Sequence, residues 1–358
     1  MASEMQCITT PFYSDPSAYQ LSTLPRPVVS EARDVVIKVH AASINPIDVK
    51  KAAGILKLAM KDEFPYQIGF DCAGVVMEVG KDVKTLSVGD EVYARLPEVS
   101  RGSWAEYAKC AEHYVARKPA SLSFGDAASL PLTAVTAMQA FRKYKGSLSG
   151  KTVFVPAGLS GTGSYACQLA KNVFHAGKVI TTVSTSKVPR VPELLGQGVV
   201  DEVIDYTKND PTQVIPRGSV DFILDTTGDA MRFLSLMKPS TSFIASVATM
   251  PSGNLLQESS LMRRPDKPRL PWLARIGLNM ADAVRRFRAW RWGVEYEYFI
   301  LEPSAEELET LSTYVEERKV VPVVGSRVRM HDIDKVREAC SLVYNGKGGI
   351  GKAIIEVI

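Results

Sequence analysis

Histidine and cysteine are scarce in this chain and nowhere close together. Four histidines (His40, His113, His175, His331) and five cysteines (Cys7, Cys72, Cys110, Cys167, Cys340) are scattered over 358 residues. Tetrahedral metal sites and disulfide frameworks draw on closely spaced thiolates and imidazoles, so neither is expected. No long apolar run is present either. The richest stretch, 127–141, is broken by Pro131, Thr133, Thr136 and Gln139, short of the ~18 residues that span a bilayer. The first ten residues include Glu4 and Gln6 and no apolar core, unlike a signal peptide. A soluble, cytoplasmic protein is the expectation. An excess of one charge is also absent: 43 Lys and Arg against 39 Asp and Glu leave +4, which gives no reason to expect nucleic acid as a partner.

What is present has two textures. Up to about residue 125, short β-rich segments alternate with turns, among them 35–39, 72–80, 88–93 and 104–110. Gly89-Asp90 supplies a bend. From residue 131 the pattern becomes helix and strand in turn: a helix over 131–144, a strand at 152–155, a helix over 163–174, then strands at 178–183, 200–204, 220–225 and 242–247. Strands alternating with helices predict βαβ units on a parallel sheet. The alternation stops over 249–303. A helix then starts at Ser304 as N-cap with Glu307 three residues on, and 320–358 returns to strand character. The simplest architecture is an α/β chain in which a β-rich domain built from both ends encloses a doubly wound parallel domain. Its boundaries are expected at 1–127 with 319–358, and at 128–318.

The strand at 152–155 runs into Ala157-Gly158-Leu159-Ser160-Gly161-Thr162-Gly163, with a helix behind it. Such a turn lets backbone N–H groups approach a pyrophosphate at a helix N-terminus, although its spacing departs from G-x-G-x-x-G. The next strand ends in Ser184-Thr185-Ser186-Lys187 with Arg190 close behind and no acid for a ribose 2′-hydroxyl. Hydroxyls and cations suit a 2′-phosphate, which points to NADP(H). A solvated surface charge pair is the alternative.

These residues resemble the medium-chain dehydrogenase/reductase superfamily, in its zinc-independent quinone oxidoreductase and enoyl reductase branch. The resemblance rests on Ala42-Ser43-Ile44-Asn45-Pro46-Ile47-Asp48, 69–76, 88–93, 128–133, 198–206, 224–228 and 347–352, taken together and in order. It implies a GroES-like β domain with an inserted Rossmann domain. Where zinc-dependent members carry a Cys and a His-Glu pair, this chain has Asn45 and Phe70-Asp71. The resemblance further implies hydride transfer from a nicotinamide to an activated C=C or a quinone. Asn45 is the expected positioning residue for nicotinamide ribose or substrate oxygen, beside Asp48. Thr133 and Thr136, on one helix face, are candidate donors, and Tyr66 is a candidate proton donor. A turn role for Asn45, helix packing for the threonines and loop packing for Tyr66 stay open. No general acid stands out, so water is the fallback proton source. Tyr206, Thr226, Thr227, Val247, Ala248, Gly351 and Lys352 are the implied remaining cofactor contacts. Gly54-Ile55-Leu56 replaces the tyrosine usual in quinone reducers, which shifts weight to a lipophilic enone or enoyl substrate.

One segment stands apart. Residues 263–291 hold nine Lys or Arg against two Asp, so the rest of the chain is slightly acidic; Trp272, Trp290 and Trp292 lie in or beside it. Ile276, Met280, Val284, Phe287 and Trp290 recur at helical spacing, with basic residues elsewhere on the helix. A lid over the substrate channel, a domain cap or oligomer interface, and contact with an anionic membrane surface all fit. A small-molecule substrate and a monomer or homodimer are expected. A non-catalytic NADPH-binding partner protein and a redox-inert tailoring enzyme for cyclisation or elimination remain rival readings.

Overall fold

The structure, a computed structural model, describes residues 4–347 and 349–358. The first part comprises β1 (Glu4–Thr10), β2 (Gln20–Pro25), β3 (Asp34–Ile44), α1 (Pro46–Ala52), β4 (Tyr66–Gln67), β5 (Asp71–Val79), β6 (Glu91–Arg95), β7 (Tyr107–Ala111) and β8 (Val115–Arg117). Then come α2 (Phe124–Ala128), α3 (Pro131–Arg142), β9 (Thr152–Val155), α4 (Gly161–Asn172), β10 (Lys178–Val183), α5 (Arg190–Leu195), β11 (Glu202–Asp205), α6 (Pro211–Val214), β12 (Phe222–Asp225) and β13 (Phe243–Ser246). The chain closes with α7 (Gly253–Glu258), α8 (Trp272–Trp290), β14 (Glu295–Tyr298), α9 (Ala305–Glu316), β15 (Val324–Arg329), α10 (Ile333–Tyr344) and β16 (Lys352–Glu356).

Both chain ends build one sheet, in the order β15-β16-β3-β5-β6-β8, with β7 also on β3. β16 pairs antiparallel to β3, placing Ala353 opposite Ile44. This pairing puts the C-terminal Lys352 next to Asn45. A separate small sheet runs β2-β1-β4. The second large sheet is parallel throughout, in the order β11-β10-β9-β12-β13-β14. Its inner strands, such as Val153-Phe154-Val155 and Phe222-Ile223-Leu224, are buried without alternation, as strands covered on both faces must be. The expected α/β architecture of GroES-like and Rossmann parts is therefore present. α3 joins them: Ala134, Val135, Met138 and Phe141 share one apolar cluster with Tyr93 of β6 and Val153 of β9.

Two expectations need correction. The alternation does not end before residue 249, because β14 adds a sixth strand against β13, with Phe243 opposite Glu295. Its Glu-Tyr-Glu-Tyr sequence reads as polar, yet only one face of an edge strand is buried, and Tyr296 fills that face. The helix after the glycine turn starts at Gly161, not Gly163, since Ser160 Oγ accepts the Gly163 N–H at 3.1 Å and caps it. The Ser304 cap stands as expected, accepting from Glu307 N at 3.4 Å.

The order of the parallel sheet reverses direction between β9 and β12, so the ligand crevice belongs at the carboxyl ends of these strands. The C-terminal segment is tied to that crevice: Gly351 N–H donates to Leu159 O at 2.8 Å. Gly351 has φ +60, and a Cβ there would lie 2.1 Å from Val323 O. Gly346 has φ +66 with nothing within 4 Å. Gly346→Ala should therefore cost about 1 kcal/mol, the left-handed penalty alone. Gly351→Ala should cost at least about twice that, because the clash adds to it. Urea denaturation midpoints check this; equal losses would show that the backbone at Val323 yields freely.

Candidate functional site

The turn after β9 is shaped by contacts that exclude side chains. A Cβ on Gly158 would lie 2.0 Å from Thr181 Oγ1, and one on Gly163 would lie 2.2 Å from Ala157 O. Ala157 takes φ +57 and donates its N–H to Thr182 Oγ1 at 3.1 Å. The turn thus lies flat against β10 and presents the start of α4 at the carboxyl ends of the strands. A helix N-terminus so placed favours an anionic group through its free N–H dipoles.

Around this turn the residues expected to hold a dinucleotide form an accessible rim. Ser160, Gly161, Thr162, Ser184, Lys187, Thr226, Val247 and Gly351 are half-buried and Thr185, Tyr206, Thr227 and Ala248 are exposed, while Gly158, Gly163 and Lys352 lie buried beneath them. All sit at or just past carboxyl ends of parallel strands, or on the C-terminal segment against the turn. Several have structural partners as well. Thr226 Oγ1 donates to Pro156 O at 3.1 Å, and the buried Asp225 carboxylate accepts the N–H groups of Thr227, Gly228 and Asp229. The expected lack of an acid beside Ser184–Lys187 holds along the chain but not in space. Asp205 arrives from β11 and accepts Thr185 Oγ1 at 2.6 Å, with Thr207 also bonded to it. Those hydroxyls hold its carboxyl below the usual carboxylate range. Lys187 Nζ donates to Gly349 O at 2.9 Å, and Arg190 pairs with Glu193 at 2.6 Å. Two surface grooves, of about 360 and 840 Å³, are lined by residues such as Ser147, Lys151 and Ser242. They lie at the amino ends of the strands, the wrong side for this site.

Beneath the rim is a closed polar seam. Asp71 Oδ2 accepts Asn45 Nδ2 at 2.9 Å, Ser43 Oγ at 3.2 Å and the Leu132 N–H of α3 at 3.2 Å. Arg95 Nε lies 3.9 Å from Asp71 Oδ1 and its guanidinium covers the Phe70 ring at 4.3 Å. Lys352 Nζ donates to Ile44 O at 3.0 Å and to Asn45 Oδ1. Asp48 Oδ2 accepts the Asn45 N–H at 2.6 Å. Asn45 has no exposed surface, and its amide is bonded at both ends, to Asp71 and to Lys352. Burial and the nearby Asp71 carboxylate push the Asp48 carboxyl up to about 7. Burial lowers the Lys352 ammonium to about 8, against the pull of Asp71 and Asp48.

The other expected catalytic residues are also buried. Thr133 Oγ1 donates to Ser129 O at 2.9 Å, a back-bond within its own helix, and Thr136 is buried beside it. Tyr66 lies under the Arg101 guanidinium, 4.3 Å from ring to carbon, and 6.0 Å from Lys51 Nζ. Burial, then Glu98, hold its phenol well above the ordinary value. Sequence reasoning missed the ionic set around it. Lys51 and Glu98, both without exposed side-chain surface, pair at 2.9 Å, and Lys51 lies 3.5 Å from Asp62. Arg264 of the basic segment reaches the same Asp62 at 2.9 Å. Alongside, Leu56 and Met60 pack on Leu256 and Met262. Charged residues spread from position 51 to 264 leave no local pattern that could have announced this.

No group of three or more His, Cys, Asp or Glu among the described residues could hold a metal ion. The five cysteines are free and buried. Residues 31–120 match the profile of the alcohol dehydrogenase GroES-like domain, and residues 199–355 match that of the zinc-binding dehydrogenases. A 2-methylene-furan-3-one reductase of Solanum lycopersicum is 34% identical over 330 residues, covering 90% of this chain and 72% of its own. This chain belongs to the medium-chain dehydrogenase/reductase superfamily. An NADPH-dependent alkenal/one oxidoreductase of Arabidopsis thaliana, chloroplastic by name, is 38% identical over 226 residues, 61% of this chain and 56% of its own. A quinone oxidoreductase from Coxiella burnetii superposes with TM-score 0.76 at 26% identity, covering 99% and 100% of the two chains. The fold is that of an oxidoreductase family whose profile name mentions zinc. The donor set here does not fit zinc, because Asn45 spends its amide on Asp71 Oδ2 and Lys352, and no thiolate or imidazole joins them among the described residues. No helix of the described residues is long and apolar enough to cross a membrane. A plastid relative lends no support to the cytoplasmic expectation.

Asp48 gives the seam a pH signature. The folded carboxyl keeps its proton up to about 7, while the unfolded one releases it near about 4. A raised carboxyl pKa makes the protein lose stability as pH climbs from about 4 to about 7, by at most about 4 kcal/mol. Asp48→Asn keeps an oxygen for the Asn45 N–H and removes the titration. Its denaturation midpoint should stay flat over this window while that of the unsubstituted protein falls. Parallel profiles would show that Asp48 is already ionised in the fold.

Proposed function

We propose that this protein is an NADPH-dependent, zinc-independent reductase of an activated C=C bond, with quinones as a second acceptor class. The observation that carries the reading is the flattened glycine turn at the sheet's switch point, locked to the C-terminal Gly351 and rimmed by Ser184, Thr185 and Lys187. When bound, the reduced nicotinamide supplies a hydride. The rim residues hold the dinucleotide across the carboxyl ends of the strands. Lys187 and Arg190 carry the preference for a 2′-phosphate. Their present partners are a carbonyl and an exposed carboxylate, and such surface pairs are worth about 0–1 kcal/mol, so exchange for a phosphate is cheap.

An enone accepts hydride at its β-carbon, and the electron pair of the C=C moves to give an enolate. The protein then has to stabilise negative charge at an oxygen; it need not supply a Lewis acid. Asn45 fixes the Lys352 ammonium at the seam, against the start of α4, where its positive charge and the helix dipole favour an anion. Water delivers the proton to the α-carbon. The alkenal/one and furanone reductases among the relatives support an enone. The exposed Ile55 of the Gly54-Ile55-Leu56 segment supports a lipophilic one. A small-molecule substrate follows from the same reading.

Turnover with C4-deuterated NADPH should place deuterium at the β-carbon of an enone product and a solvent proton at the α-carbon. Lys187→Ala should raise KM for NADPH about tenfold, the loss of one charge-assisted contact, and leave KM for NADH unchanged. No NADPH oxidation with enones or quinones, or product formed without NADPH consumption, would overturn the proposal.

A further inference from the structure

Helix α8 is mounted with its apolar face outward. Asp282 and Ala289 are buried and Leu278 is half-buried, so these residues form the inner face. At about 100° per residue, the opposite face carries Trp272, Ile276, Met280, Val284, Phe287 and Trp290. All six are exposed, Trp272 at 69%, Met280 at 65% and Trp290 at 70%. Phe287 and Trp290 stack on each other at 5.8 Å, on the open surface. A lid would turn this stripe toward the crevice, and a domain cap would bury it. The stripe does neither. The insertion packs inward through Leu256, Met262, Leu278 and Ala289, and Arg264 reaches Asp62.

The flanks of the stripe decide what covers it. Arg286 borders it on one side and Arg288 on the other, with Arg291 at the C-terminal end. Asp282, the helix's one acid, points inward and pairs with Arg286 at 3.0 Å. Among the described residues Arg288 and Arg291 have no carboxylate within ion-pair distance. A second copy docked by a two-fold axis would set arginine rim against arginine rim with no acid to meet them. A bilayer surface of anionic lipid matches both features. Acyl chains accept the aromatic and aliphatic stripe, and the arginines reach headgroup phosphates alongside it.

We propose that α8 is an interfacial helix that docks the protein on anionic membrane surfaces, with the stripe from Trp272 to Trp290 entering the headgroup boundary. The inference is independent of the proposed reaction. The full-length protein should float with vesicles of phosphatidylcholine containing about 30 mol % phosphatidylserine. It should show at least about tenfold weaker binding to pure phosphatidylcholine or in 0.5 M salt. Tryptophan emission should shift to the blue on binding. Met280→Ser with Phe287→Ser should abolish flotation, and Arg288→Glu with Arg291→Glu should weaken it about tenfold on anionic vesicles; all four side chains are exposed, so folding is spared. No flotation on anionic vesicles at low salt would overturn the proposal. So would a stable dimer in solution that Phe287→Ser dissociates, since a second copy would then own this face.

Discussion

The arrangement of this molecule turns on one buried carboxylate. Asp71 sits at the start of β5, and its Oδ2 gathers a hydroxyl from β3, the Asn45 amide before α1, and the Leu132 N–H at the start of α3. A charge without exposed surface is tolerable only when hydrogen bonds and counter-charges replace its water. Each replacement comes from a different element, so satisfying Asp71 fixes the angle between the β domain and the helix that carries the parallel sheet. The position of α3 sets that of β9 through their shared apolar cluster, and the glycine turn follows.

The C-terminal strand completes the seam for the same electrostatic reason. Lys352 enters on β16 and meets Ile44 O and Asn45 Oδ1. Its neighbour Gly351 holds the glycine turn. One short segment therefore bonds the sheet built by both chain ends and the glycine turn at adjacent residues. Asp71 and Asp48, the latter keeping its proton up to about 7, stand near two cations, Lys352 and Arg95, with Asn45 bonded to Asp48, Asp71 and Lys352. Such a seam is sensitive to the loss of any charged member, because the partner left behind would be an uncompensated buried charge.

Much of this was legible in the sequence, for identifiable reasons. The parallel strands announced themselves because strands buried on both faces must be continuously apolar. The glycine turn was readable because Gly158 and Gly163 lie where a Cβ has no room. Asn45, Asp48 and Lys352 were picked out through resemblance, and the structure brings all three into one cluster. Their roles were not legible. Nothing in the order of residues tells that Asn45 is sealed from solvent, or that Thr133 spends its proton on Ser129. β14 escaped notice because an edge strand half-covered by charged residues looks like a loop. The Lys51–Glu98–Asp62–Arg264 group escaped because long-range ion pairs leave no trace in local spacing. Asp205 escaped for a related reason: adjacency across β10 and β11 is a property of the sheet.

The seam also explains how the superfamily's frame can do without a metal. Zinc binding needs lone pairs that converge on an empty centre. At the equivalent place Asn45 offers an amide, and its oxygen is already taken by an ammonium. Asp71 offers a carboxylate whose bonded oxygen has three donors. Its other oxygen faces the Arg95 guanidinium at 3.9 Å, so the positive charges at this position are Lys352 and Arg95. A fixed ammonium is a weaker electrophile than zinc. It suits an acceptor whose charge is already delocalised over a conjugated carbonyl better than an isolated ketone. In the proposed reaction this favours a conjugated acceptor. The same chain buries Leu56 and Met60 against Leu256 and Met262 and carries an outward stripe of tryptophan, methionine and phenylalanine on α8.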